Sequence, residues 1–74
     1  MAGRLEYPHP TKGHVVMNWG PGELAEEEVR RQFKELIAAG FGAAYEDDNG
    51  EEHFTRRWKK NAKVMRMLPP LVGG

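Results

Sequence analysis

Seventy-four residues suffice for one small domain and not for two, because an independently folded domain usually needs about 50 or more. Eleven basic and eleven acidic side chains cancel to a formal charge of zero, which excludes a chain built mainly to coat nucleic acid or an anionic membrane. With 39% hydrophobic residues, 30% charged residues and no cysteine, the chain reads as globular, and it has no disulfide framework, thiolate metal site or cysteine nucleophile.

In chain order, Arg4 to Tyr7 is a short strand-like run, followed by a connection containing Pro8 and Pro10. Val15, Met17 and Trp19 then alternate with His14, Val16 and Asn18, the period of a strand with one buried face. The clearest element lies between Gly22 and Gly40. Leu24, Ala25, Val29, Phe33, Leu36 and Ile37 fall on one stripe at helical spacing. Pro21 suits the entry to this helix, and Glu23, Glu26, Glu27 and Glu28 place negative charge at its positive dipole end. Glu26 and Glu27 precede Arg30 and Arg31 by four residues, the favourable order for pairing, and Gly40 is a left-handed stop. Phe41 to Asp47 and Glu51 to Trp58 are two further strand-like runs. Between them Asn49-Gly50 predicts a tight hairpin, because both residues tolerate positive φ. A last strand, Lys63 to Leu68, ends at Pro69-Pro70, which cannot donate ladder hydrogen bonds.

One amphipathic helix needs a sheet to cover its apolar stripe, so the expected fold class is α+β. The expected architecture has two layers, with the helix packed on a mixed sheet in the order β-β-α-β-β-β. Residues 1–68 form the domain and residues 69–74 an extended tail. The expected core sets Val29, Phe33, Leu36 and Ile37 against Val15, Met17, Phe41, Tyr45 and Phe54. The apolar run from Leu36 to Tyr45 has ten residues and two glycines, too short to span a bilayer. The first residues, MAGRLEYPHPTKG, meet charge and proline too early for a signal peptide, so a cytoplasmic protein without membrane contact is expected.

The most informative stretch is Leu68-Pro69-Pro70-Leu71-Val72-Gly73-Gly74. Two prolines favour an extended stem, and two glycines allow the backbone to enter a narrow channel that excludes larger residues. Pro69 to Gly74, fully extended, reach about 20 Å. This ending resembles the diglycine tail of ubiquitin-like and sulfur-carrier proteins, most closely the Pro-Pro-x-x-Gly-Gly end of the molybdopterin synthase small subunit. The element order is similar to the β-grasp fold of those proteins. The resemblance implies that Gly73 and Gly74, presented on Pro69 and Pro70, are activated by adenylation in a partner enzyme, giving a thiocarboxylate or a conjugate. The chain also resembles short phage and prophage proteins with a Pro-Pro and Gly-Gly ending, which implies a structural or assembly role instead.

A second segment, Arg56-Arg57-Trp58-Lys59-Lys60, extended by Lys63 and Arg66, interleaves cations with an aromatic. Such a pattern can grip phosphates and stack a base. The acidic block Glu46, Asp47, Asp48, Glu51 and Glu52 lies just before it, so mutual neutralisation is the expectation and nucleic acid an unlikely partner. Arg56 to Lys60 are instead a candidate surface for a protein partner, an activating enzyme or an assembly subunit. His9, His14 and His53 lack paired ligand spacing, so no metal is expected. There is no serine, nucleophile elbow or phosphate loop, and the chain is too short to enclose a ligand cavity, so no enzymatic activity, catalytic residue or cofactor is expected.

Overall fold

The alternating runs at the start of the chain pair with each other, and the first is longer than its sequence suggested. The structure, a computed structural model, describes residues 2–70. In it β1 (Gly3–His9) and β2 (Gly13–Trp19) run antiparallel, with Leu5 opposite Met17 and Tyr7 opposite Val15. Pro8 is tolerated inside β1 for a specific reason. The Arg4 amide donates to the Lys63 carbonyl at 2.8 Å, so alternate residues of β1 aim their amides towards the strand formed by Val64–Leu68. Pro8 shares that direction, but the ladder there ends at Glu6 and Arg66, so no donor is missed.

Helix α1 (Glu26–Ala38) begins later than its apolar stripe implied. Gly20 to Glu23 make a turn instead, closed by the Glu23 amide on the Gly20 carbonyl, and Leu24 bridges to Trp19. Glu26, Glu27 and Glu28 occupy the first helical turn, where the dipole favours them. At the other end the Phe41 amide reaches the Leu36 carbonyl and the Gly40 amide the Ile37 carbonyl, both at 3.0 Å. Gly40 sits at φ 102°, so the stop is the paired left-handed closure its residue type suggested.

After the helix come β3 (Gly42–Glu46), β4 (Glu52–Thr55) and β5 (Val64–Leu68). Together they complete one five-stranded mixed sheet in the order β2-β1-β5-β3-β4, with β5 parallel to β1 and antiparallel to β3. This is the expected α+β arrangement of a single helix on a mixed sheet, with elements in the order β-β-α-β-β-β. Leu5, Trp19, Val29, Phe33, Leu36, Ala43, Met65 and Met67 form the buried core between the layers. Each large apolar side chain so buried contributes about 1.5–3 kcal/mol. Ile37, Met17, Phe41 and Tyr45 pack at its margin as partly buried residues.

Phe54 is a correction: it is 73% exposed and lies on the face of the sheet away from α1. The cause is the preceding turn. A two-residue Asn49-Gly50 connection would place Phe54 opposite Tyr45, on the core side. The chain instead makes a three-residue turn, with the Gly50 amide on the Asp47 carbonyl at 3.0 Å and the Asp47 amide on the Glu51 carbonyl at 2.9 Å. Among the described residues only glycines have positive φ, so Gly50 (φ 81°) is left-handed and Asn49 is not. The register slips by one residue, His53 takes the position opposite Tyr45, and Phe54 falls opposite Ala44.

Candidate partner-binding surface

The loop joining β4 to β5 carries the basic segment, and the structure separates its members. Trp58 turns inward and is half-buried. Its ring lies 4.9 Å from the Trp19 ring and 5.5 Å from Phe33, nearly edge-on to the latter. Its indole Nε1 donates to Glu26 Oε2 at 3.0 Å, tying the loop to the first turn of α1. Lys59 is half-buried with its ammonium 5.7 Å from the centre of the Tyr45 ring, a cation over an aromatic face. Arg56, Arg57 and Lys60 remain exposed, and the Arg57 amide donates to Thr55 Oγ1 at 3.0 Å.

The acidic block lies beside this loop: Glu46, Asp47 and Asp48 share a groove with Lys59 and Lys60 and a second one with Lys63, without closing ion pairs. Among the described residues the ion pairs are Arg4 with Glu6, His14 with Glu6 and His53 with Asp47. None joins Glu46 to Glu52 with Arg56 to Lys63, and neither helical pair from Glu26 and Glu27 to Arg30 and Arg31 closes. The acidic residues serve the turn. Asp47 Oδ1 accepts from the Asn49 and Glu51 amides at 2.8 and 2.9 Å, and Oδ2 accepts from His53 Nε2 at 2.7 Å. The His53 hydrogen bond, followed by the Glu51 amide, holds the Asp47 carboxyl below its usual range. Asp47, Glu51 and His53 offer ligand atoms within 4.8 Å of one another, so they could each give one to a cation, although both Asp47 oxygens are already engaged.

The face of the sheet opposite α1 is polar at its centre and apolar at one edge. The Glu6 carboxylate accepts from His14 at 2.8 Å and Arg4 at 2.9 Å. The His14 hydrogen bond, with Arg4 assisting against partial desolvation, lowers the Glu6 pKa. An open groove of about 360 Å³ runs beside Glu6 over Val64 and Ala44, flanked by Arg66, Glu46 and Glu52. Phe54 and Leu68 border a second, shallower groove floored by Gly42. Sequence reasoning missed this face, although the alternation of Arg4 and Glu6 against Leu5 and Tyr7 in β1 carried its signal.

Pro69 and Pro70 follow β5 and are exposed. The Pro70 ring lies alongside Gly40, where a β-carbon would stand 3.4 Å from it. Gly73 and Gly74 lie outside the described residues. No helix among the described residues is long and apolar enough to cross a membrane. No known protein family, curated protein or solved structure matches this chain.

Proposed function

We propose that this protein is a small ubiquitin-like carrier or modifier of the β-grasp type, acting in the cytoplasm through its Gly73-Gly74 carboxylate. The observation that carries the reading is the sequence Leu68-Pro69-Pro70-Leu71-Val72-Gly73-Gly74, whose first residue ends the central strand of the sheet. Support comes from the element order and from β1 and β5 lying parallel in mid-sheet, which gives the outgoing stem a rigid base. A partner enzyme supplies the chemistry. A carboxylate oxygen attacks the α-phosphorus of ATP and pyrophosphate leaves. Sulfide-level sulfur or an amine then attacks the acyl carbon of the adenylate, the acyl–oxygen bond to phosphate breaks and AMP leaves, giving the thiocarboxylate or the conjugate. The domain's own work is recognition, through the exposed sheet face and the unpaired cations Arg56, Arg57 and Lys60.

The competing nucleic-acid reading of residues 56–63 loses its stacking aromatic, because Trp58 is committed to the core and to Glu26. Intact mass of the protein recovered from its native host tests the carrier reading. A thiocarboxylate at Gly74 adds about 16 Da, and conjugates appear as much heavier species. Unmodified protein, together with unchanged function after deletion of Gly73 and Gly74, overturns it in favour of a structural role of the phage-protein kind.

A further inference from the structure

We propose that β4 is a homodimerisation edge, pairing antiparallel with β4 of a second copy about a two-fold axis at Phe54. This does not rest on the tail. β4 is an outermost strand of the sheet, and among the described residues no strand pairs with its far side. The Asp47 amide bonds to the Glu51 carbonyl, so the odd-numbered residues of β4 aim their backbone groups at β3. Glu52 and Phe54 therefore aim their amides and carbonyls outward, a template for another strand.

The side chains select the partner. Phe54 is 73% exposed, and Arg56 borders the same shallow groove as Phe54 and Leu68. Two residues before Phe54 stands an anion, Glu52, and two residues after it, in the bend just past the end of β4, a cation, Arg56. An antiparallel two-fold centred on Phe54 sets Phe54 against its own copy and brings the Glu52 of each chain alongside the Arg56 bend that follows the other chain's β4. This is the self-complementary pattern an isologous interface requires. Other registers lack it. Centring on His53 sets each Phe54 against a Glu52, and centring on Glu52 sets like charges together.

The lone subunit also carries a fault that this pairing corrects. Glu52 lies directly opposite Glu46 across the ladder, and no cation among the described residues lies within ion-pair distance of either. Like charges so placed destabilise a sheet; Arg4 and Arg66 line the same groove without reaching ion-pair distance of either, and Arg56 of the second copy adds a cation at the edge. One short edge buries less than the roughly 800 Å² per partner of a standard interface, so the dimer is weak and concentration-dependent.

Sedimentation velocity on the full chain tests this, with wild type passing from monomer to dimer between about 10 µM and 1 mM. Glu52→Arg and Arg56→Glu each put like charges at both symmetric contacts and weaken association about tenfold or more. Both residues are exposed and unpaired, so circular dichroism of each variant stays native. An equimolar mixture of the two variants, and the double swap Glu52→Arg with Arg56→Glu, each restore dimerisation to near the wild-type level. A wild type that stays monomeric throughout, as it does if β4 serves a different protein's strand, overturns the proposal. So do single variants that dimerise like wild type, or swaps that fail to recover.

Discussion

Removing the Trp58 ring measures how far a loop residue, rather than the helix and sheet alone, holds the layers together. Its indole makes two aromatic contacts, at 4.9 Å to Trp19 and 5.5 Å to Phe33. Each such pair contributes about 0.5–1.5 kcal/mol. Its hydrogen bond to Glu26 adds about 1 kcal/mol once discounted for a half-buried site. Trp58→Ala therefore costs about 3 kcal/mol, at the low end for large aromatic truncations because the ring is only half-buried. A domain of this size holds roughly 4–11 kcal/mol in total, so the loss is a large share. The melting temperature falls by about 12–24 °C. Trp58→Phe keeps the ring contacts and loses the hydrogen bond, so it costs about 1 kcal/mol. Urea unfolding followed by far-ultraviolet circular dichroism reads both without relying on tryptophan emission. A Trp58→Ala loss below about 1 kcal/mol, or a Trp58→Phe loss equal to it, refutes the assignment of this ring to the core.

Two other perturbations separate the turn from the sheet. The Asp47 and Glu6 carboxyls both titrate below their usual values, held there first by His53 and His14 respectively. Depressed folded-state values stabilise the protein above the unfolded values near about 4 and lose that stabilisation as pH falls through the folded ones. The melting temperature therefore drops on acidification below about pH 4, and Asp47→Asn, which keeps an acceptor for the Asn49 amide, flattens that drop. An unchanged acid slope in the variant contradicts the linkage. Gly3→Ala drives a methyl into the Trp19 indole, which packs over that position, and costs about 1–3 kcal/mol in chemical denaturation. A neutral result means the Trp19 ring is seated elsewhere.

The helix was legible in the sequence because its signals are local. The stripe through Val29, Phe33 and Leu36 and the glycine at position 40 act within one or two turns of backbone, and each sits where the spacing placed it. Strand alternation was legible for the same reason in β2, where Trp19 is in the core and Met17 packs against it. The side of the sheet taken by Phe54 was not. His53 and Phe54 alternate whichever way β4 pairs, so a single residue in the turn decides which points inward. Asn49-Gly50 favours the shorter turn, but Asp47 caps a longer one with its side chain, accepting from two amides and from His53. Trp58 was hidden in another way, since a loop has no period to read. Its apparent place among cations gave way to Trp19, Phe33 and Glu26, which lie 25 or more residues away along the chain and meet it only when helix and sheet close together. The sequence by itself determined which segments are helix and strand, because those choices rest on period and capping. Tertiary structure alone decided which aromatics face water, because that depends on register and on contacts between distant residues.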